Sequence, residues 1–273
     1  MSLFMMITLH YIKRMLRDPK EIVLLLIIPL GVIIFNTLIA GAAFEQFYFF
    51  EYNIMASFTA PAMMLSFQFF NSFFMFIFLY RDLRSKMRWR LLASPHSVRT
   101  FAFPALIANW LVSILLGTVI IVITSVFLNV YWGNLFVLAA VLAVTSLMGT
   151  FTAILIFLFT KEFKKANAIA YVVSFGLMVV SGFMIPLQMF GDNAVTRFLL
   201  NHGTPLSLGQ AAIISSGALD TLFAGTDVMV FMPGTGVNLE SGLQRSLINI
   251  GVLAAITLGL GVIAAIAARR KKI

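Results

Sequence analysis

The sequence has no cysteine, and only 11% of its 273 residues are charged. The missing cysteines exclude a disulfide framework, a cysteine-based metal site and thiol catalysis. The scarcity of charge excludes a soluble fold, because ordinary globular domains carry roughly 25% charged residues. Hydrophobic residues make up 61% of the chain and include 28 Phe and 15 Met. This composition is typical of an α-helical protein that crosses the membrane several times.

Six apolar segments are each long enough to span a bilayer, which takes about 20 residues. They cover residues 22–41, 54–79, 101–128, 135–159, 166–184 and 247–268. We therefore predict an all-α polytopic membrane protein with six transmembrane helices, folded as a single transmembrane domain over residues 1–273.

The basic residues are distributed very unevenly between the predicted loops. Seventeen of the 19 Lys and Arg lie before the first span, between the second and third, between the fourth and fifth, or after the sixth. With six spans these regions share one side of the membrane, and the positive-inside rule makes that side, with both termini, cytoplasmic. We therefore expect a multi-pass protein of the plasma membrane. The net charge of +9 reflects this orientation, and nucleic acid is not an expected partner.

The sequence lacks residues that several classes of protein function require. No charged residue lies in the interior of a span, which argues against ion-coupled carriers, proton pumps and voltage sensors. The nucleotide-binding Gly-x-x-x-x-Gly-Lys-Ser/Thr loop and the common hydrolase motifs are absent. We expect no catalytic residue, metal site or cofactor in this chain. Gly259 and Gly261, in the sixth span, are interpreted as small residues that permit close helix packing.

Residues 1–20 are predicted to form a basic amphipathic helix in the cytoplasmic interface. Its apolar face includes Phe4, Tyr11, Ile12 and Met15, and its polar face consists of His10, Lys13, Arg14 and Arg17. Two interpretations are open: a lipid anchor alone, or an elbow helix that also contacts a cytoplasmic partner.

Residues 81–95 are predicted to form a short cytoplasmic helix between the second and third spans. Leu83, Met87 and Leu91 are spaced by four residues and give a narrow apolar stripe flanked by arginines, and Pro95 ends the helix. Such a helix could transmit force from a soluble partner. The alternative is simple attraction to anionic lipid.

The second span carries a polar stripe. Ser57, Met64, Gln68, Asn71 and Met75 cluster within about 40° of the helical circumference. Amides facing lipid would be unsatisfied, so this face should point into protein or a cavity. It could line a pathway or subunit interface, or make interhelical hydrogen bonds with no transport role. Asn36 in the first span is a further candidate for the same region.

The long outer segment, residues 186–246, is predicted to open with a short helix that ends near Gly203, and a second helix follows. Thr204 and Pro205 are typical of an N-cap and a first helical residue, and the helix should run to about Ser216. It is expected to lie at the outer membrane surface or to dip into it. Residues 217–242 are expected to be a glycine-rich loop.

Four short motifs stand in order along the chain. They are Tyr-Ile-Lys-Arg-Met-Leu-Arg-Asp-Pro-Lys-Glu at 11–21, Arg-Leu-Leu-Ala-Ser-Pro at 90–95, Ser-Gly-Phe-Met-Ile-Pro-Leu at 181–187 and Thr-Pro-Leu-Ser at 204–207. With their spacing and the six-span frame, the sequence resembles the permease subunit of bacterial type-2 ATP-binding-cassette (ABC-2) exporters over nearly its whole length. One departure is clear. Many members have an acidic, glycine-bearing stretch before the second motif, whereas Asp82 is the only acid here and glycine is absent.

The resemblance implies a complex of permease and ATPase subunits. Two permease chains, identical or different, would pair, and each would carry a separate ATPase subunit that binds ATP and Mg²⁺. Residues 81–95 would be the coupling helix that docks on the ATPase, and residues 186–216 would form short re-entrant helices. The expected coupling residues are Arg81, Asp82, Arg84, Met87, Leu91, Leu92, Ser94 and Pro95.

The resemblance also places spans one, two and five along the substrate route and the dimer seam. This favours a pathway or seam role for Asn36, Ser57, Met64, Gln68 and Asn71. We expect an ATP-driven exporter that moves an amphipathic or lipophilic substrate, such as a drug, an antimicrobial peptide or a lipid-linked molecule, out of the cytoplasm or inner leaflet. The alternatives are a non-transporting scaffold or sensor that recruits a cytoplasmic ATPase, and a channel.

Overall fold

The computed structural model describes residues 3–17, 19–43, 48–49, 52–74, 79–80, 82, 98–181, 203–217 and 239–270. These residues are mostly helical. The helices are α1 (Leu3–Met15), α2 (Pro19–Ile22), α3 (Ile28–Ala43), α4 (Ile54–Asn71), α5 (Val98–Leu128), α6 (Leu135–Phe159), α7 (Phe163–Val180), α8 (Pro205–Ser216) and α9 (Leu239–Arg270). A π-helical turn (Val23–Ile27) joins α2 to α3, and a 3₁₀ turn (Ser72–Phe74) follows α4. Two short antiparallel strands, β1 (Tyr48–Phe49) and β2 (Tyr52–Asn53), form a hairpin before α4.

Four of the described helices are long and apolar enough to cross a membrane. They are Thr100–Leu128 in α5, Leu135–Phe159 in α6, Phe163–Val180 in α7 and Gly242–Arg270 in α9. They coincide with the third to sixth predicted spans, which confirms a helical membrane protein. Helices α3 and α4 coincide with the first two predicted spans. The count of six spans remains a prediction.

The π turn lies directly before Pro29. Proline has no N–H to donate, and its ring collides with the carbonyl four residues earlier in a regular α-helix. Here the backbone widens just ahead of it, so that the Ile28 N–H donates to the Val23 carbonyl, five residues back. The wider turn allows the helix to pass through Pro29 without ending.

Helix α6 is the centre of the bundle. In its membrane-length window, 56% of the residues are buried, against 17% in the windows of α7 and α9. It contacts α4, α5, α8 and α9. The core of the described chain therefore lies around α6, while much of α7 and α9 faces outward.

Helix α8 is buried among the long helices. It contacts α4, α6 and α9, and residues 206–215 are all buried. A Cβ at Gly209 would lie 3.0 Å from Leu65 Cδ1 and 3.1 Å from Val141 Cγ1, so this glycine permits the close fit. The predicted start is confirmed: the Thr204 side chain accepts a hydrogen bond from the Ser207 N–H, and Pro205 is the first helical residue. The helix is buried within the chain, and its predicted position at or in the outer membrane surface stays a prediction.

Three predicted boundaries need correction. Helix α9 starts at Leu239, so the glycine-rich loop predicted to reach residue 242 is too long. Helix α7 starts at Phe163 and α5 at Val98, each three residues before the predicted span. Helix α4 changes to the 3₁₀ turn after Asn71, within the second predicted span. At this point the Ser72 hydroxyl bonds to the Gln68 and Ser146 carbonyls, and the backbone tightens into the 3₁₀ turn. Residues 79–80 are again helical and residues 75–78 lie outside the described part of the chain, so the predicted end of this span at residue 79 stays a prediction.

The connection between α5 and α6 is short, as predicted. Helix α5 ends at Leu128, and Asn134 caps α6 by accepting hydrogen bonds from the Phe136 and Val137 N–H groups, at 2.9 and 3.5 Å. Gly133 has a φ of +66°, and a Cβ there would lie 2.7 Å from the Ile213 carbonyl oxygen of α8. Glycine therefore lets this loop turn and pack against the end of α8.

Candidate functional site

The first candidate site is a charge cluster formed by buried Tyr11 and Asp82 with partly buried Arg14, called the Asp82 cluster below. The Tyr11 hydroxyl donates to Asp82 Oδ2 at 2.9 Å, and Arg14 Nη1 lies 3.0 and 3.2 Å from the two carboxylate oxygens. Asp82 is only 7% exposed. Tyr11 and Arg14 are three residues apart on α1, so one face of this helix presents both donors to one carboxylate.

The two donors differ in character. Burial raises the pKa of the Tyr11 hydroxyl well above its usual range, and the adjacent Asp82 carboxylate, which also accepts its hydrogen bond, raises it further. Arg14 acts in the opposite direction. Tyr11 therefore remains a neutral donor at physiological pH, and Arg14 supplies the balancing charge. Such charge-assisted bonds are stronger than neutral ones.

The four polar residues predicted on α1 separate into two groups. His10, Lys13 and Arg17 are exposed, whereas Arg14 turns towards Asp82. The opposite face packs on α5, where the Phe4 and Phe103 rings lie 6.0 Å apart. Helix α1 is thus fixed to the bundle on one side and presents three cationic or titratable side chains on the other.

Tyr80 provides a second attachment next to Asp82. Its hydroxyl lies 2.9 Å from the Thr160 carbonyl oxygen, in the turn between α6 and α7. Its ring makes edge contacts with Phe157 and Phe163, at centroid distances of 5.0 and 5.6 Å. Residues 80 and 82 therefore bind the start of the predicted coupling segment to α1 and to the α6–α7 turn.

Most of the predicted coupling residues lie outside the described part of the chain. These are Arg81, Arg84, Met87, Leu91, Leu92, Ser94 and Pro95. Their contact with an ATPase remains a prediction. For Asp82, the described contacts are within this chain.

The second candidate site is a polar layer in the bundle, formed by Gln68, Asn71, Ser113 and Ser146. Gln68 Nε2 donates to the Ser113 carbonyl at 2.7 Å and to Ser146 Oγ at 2.6 Å. Asn71 Nδ2 donates to Ser113 Oγ at 3.0 Å. All four residues are buried, and the bonds join α4 to α5 and α6. The prediction that this amide face points into protein is confirmed.

Glycines make room for this layer. A Cβ at Gly117 would lie 2.6 Å from Gln68 Oε1, and one at Gly149 would lie 2.8 Å from Ser72 Cβ. Both glycines therefore allow α5 and α6 to approach α4 closely enough for the amides to bond.

The other predicted members of the stripe lie elsewhere. Ser57 Oγ accepts a hydrogen bond from the Tyr131 N–H at 2.9 Å, in the loop between α5 and α6. Met64 is completely buried in the apolar core. Asn36 lies in α3, and its side chain is outside the described part of the chain. The structure thus brings Gln68 and Asn71 together and connects Ser57 to a different region.

Several partners in α5 and α6 were not predicted from the sequence. Ser113 and Ser146 complete the polar layer, and Asn109 Nδ2 donates to Thr150 Oγ1 at 3.1 Å between the same two helices. A usable signal was present. Asn109 and Ser113, and likewise Ser146 and Thr150, are spaced by four residues within otherwise apolar spans, which places each pair on one helix face.

Four helices of membrane-crossing length, two of which share a buried polar layer with α4, define a helical integral membrane protein. Residues 2–216 match the family model described as ABC-2 type transporter, and because this is well over half of the chain, the protein belongs to that family as a permease component. Comparison with curated proteins and with solved structures finds no match. Family membership implies association with an ATP-binding subunit, since the permease domain has no catalytic activity itself.

Proposed function

We propose that this permease is the membrane half of an ATP-driven exporter. Two permease chains pair, and each carries a separate ATPase subunit that binds ATP and Mg²⁺. Closure of the ATPases moves the coupling segment at 81–95, and the two halves rock so that an amphipathic or lipophilic substrate leaves the cytoplasm or inner leaflet.

The Asp82 cluster is the observation that carries this proposal. The coupling segment begins between two anchors, with Asp82 bonded to α1 and Tyr80 bonded to the α6–α7 turn. A displacement of residues 81–95 is therefore passed to α1 and to the central helix α6. The Asp82 carboxylate is buried and its Arg14 partner is partly buried, so a relative movement of the two would leave the carboxylate without its balancing charge.

The proposed orientation has six spans with both termini in the cytoplasm. The continuous helix over residues 19–43 and helix α4 would be the first two spans, and the four long helices would be the others. The concentration of basic residues at one set of loops supports this arrangement. Helix α1, with its exposed His10, Lys13 and Arg17, would then lie in the inner interface as an elbow helix.

We place the pairing surface on α3 and α7. Both helices expose large apolar side chains, including Phe35 and Leu38 on α3 and Val172 and Phe175 on α7. Both also contact α4. A second chain seated here would meet the predicted seam helices, while the Gln68 and Asn71 amides bond inside their own chain. A pathway role for those two amides remains a prediction.

Reconstitution with the partner ATPase tests the proposal. In inside-out vesicles, a lipophilic fluorescent probe should accumulate in the lumen only with ATP, Mg²⁺ and an ATPase able to hydrolyse ATP. The controls omit ATP or use an ATPase without its catalytic base. ATP hydrolysis that moves none of a broad panel of probes would support the scaffold or sensor, and movement without ATP would support the channel.

A further inference from the structure

An apolar groove lies at the end of the bundle where α5 begins and where α6 and α9 end. Its volume is about 420 Å³. Phe103 lines it from α5, Phe151 and Phe157 from α6, and Ala265, Ala268 and Arg269 from α9. Among the described residues that line the groove, Arg269 alone is not apolar.

The dimensions of the groove match one leaflet of a bilayer. From Gly261 to Arg269, α9 rises by about 12 Å at 1.5 Å per residue. One leaflet of the hydrocarbon core is about 15 Å deep. At the end away from Arg269, a Cβ at Gly261 would lie 2.8 Å from Phe151 Cε2, so α9 and α6 are in contact there. The groove thus runs from this helix contact to the cationic end of α9.

Arg269 gives the groove a charged end. Its side chain is exposed, and it forms no ion pair with any residue that the structure describes. Of the described acidic side chains near this end, Asp82 is bonded to Arg14 and Glu162 to Lys165. The positive charge is therefore available to an anion. It lies directly beside the groove, whose apolar walls favour a hydrocarbon chain.

We propose that this groove binds an anionic phospholipid, with one acyl chain between α5, α6 and α9 and the phosphate at Arg269. An amphiphile with a negative head group and an apolar tail complements a groove that has a cation at one end and apolar walls elsewhere. The inference rests on the proposed orientation, which places Arg269 at the cytoplasmic surface, where anionic lipids are concentrated. The bound lipid would fill the space between the ends of α5, α6 and α9 beside Leu79, at the start of the coupling segment.

Lipid retention by the purified permease, without any ATPase, tests the site. The protein is exchanged from mixed vesicles of phosphatidylglycerol and phosphatidylcholine with identical acyl chains, and retained lipid is counted by native mass spectrometry. Wild type should prefer phosphatidylglycerol. Arg269→Gln should lower phosphatidylglycerol retention about fivefold, the scale of one basic residue at an anionic surface. Arg270→Gln is the matched control, because Arg270 is exposed but does not line the groove.

A second pair of variants tests the apolar part. Ala265→Phe should reduce retention of both lipids, because the ring occupies the groove. Ala255→Phe places the same ring on an exposed position of α9 away from it and should leave retention unchanged. Size-exclusion profiles confirm that each variant is folded.

Three results would overturn the proposal. Equal retention in Arg269→Gln and Arg270→Gln would remove the head-group contact, and unchanged retention in Ala265→Phe would remove the acyl-chain site. Loss of chain pairing in Ala265→Phe with lipid retention intact would make the groove an interface between copies. Retention requires no transport, so failure of the exporter proposal would leave this test unaffected.

Discussion

Two ion pairs in the described chain show how much the surroundings of an acidic residue matter. Asp82 is buried and accepts bonds from both Tyr11 and Arg14. Glu162 pairs with Lys165 at the same N–O distance of 3.0 Å, but these side chains are 63% and 69% exposed. Water cannot replace a lost hydrogen-bond partner in a buried site, whereas it can do so in an exposed one. The two acids therefore form a matched pair for mutation.

We predict that Asp82→Asn lowers the free energy of unfolding by about 2 kcal/mol. The amide can still accept from Tyr11, but it leaves the Arg14 charge unbalanced. Glu162→Gln should lower it by less than about 0.5 kcal/mol. Thermal unfolding of the purified permease in detergent measures both. Equal, small effects would show that the Asp82 cluster does not stabilise the position of α1.

Gly149 lies where α6 packs closely against the end of α4. An alanine Cβ there would lie 2.5 Å from Ser72 Oγ and 3.0 Å from the Phe69 carbonyl oxygen, so backbone as well as side chain must move. Gly149→Ala should destabilise the permease by about 1–3 kcal/mol. An alanine Cβ at Gly259 of α9 would meet no heavy atom within 4 Å beyond its own stretch of helix, so the close packing predicted for this glycine is not found among the described residues. Gly259→Ala should therefore be neutral or slightly stabilising. Unfolding temperatures for the two variants test this difference, and equal temperatures would contradict the proposed α4–α6 contact.

Whole helices illustrate which features can be predicted from sequence. The start of α8 was predictable because Thr204, Pro205 and Ser207 are neighbours, and a helix cap depends on local residues. The Asp82 cluster was not, since Tyr11 and Asp82 are 71 residues apart and no local pattern pairs them. The polar stripe with Gln68 and Asn71 was predictable only in part. Its inward direction followed from the cost of unsatisfied amides in lipid, but its partners depend on how α5 and α6 pack.

The polar layer joins three helices, so removing one of its amides should weaken the packing between them. Gln68→Leu should lower the free energy of unfolding by about 0.6–1.7 kcal/mol, the range for hydrogen bonds between membrane helices. Ser66→Ala is the control, because among the described residues the Ser66 hydroxyl bonds only to the Ala62 carbonyl of its own helix. Unfolding and probe transport should be measured on both variants. A transport loss in Gln68→Leu at unchanged stability would indicate a pathway role, and no change in either would contradict a contribution of this amide.

At the scale of the whole molecule, the distribution of charge predicts the topology. The chain contains no cysteine, so single cysteines can be introduced without a background. Asp227→Cys should react with a membrane-impermeant maleimide in intact cells, whereas Lys164→Cys should react only after lysis. Labelling of Asp227→Cys only after lysis would contradict the six-span orientation.

The transmission of force from an ATPase to the bundle also depends on the molecule as a whole. Residues 81–95 begin at the anchors on α1 and on the α6–α7 turn, so we expect Asp82 to keep ATP hydrolysis and transport linked. Exposed Glu162 has no part in this link, although it lies in the same turn as the Tyr80 anchor.

The most direct test is the number of probe molecules moved per ATP hydrolysed in reconstituted vesicles, compared between wild type, Asp82→Asn and Glu162→Gln. We predict that this ratio falls several-fold in Asp82→Asn, with ATPase binding retained, and stays at the wild-type value in Glu162→Gln. An unchanged ratio in Asp82→Asn would contradict the claim that the Asp82 cluster couples the ATPase to the membrane helices.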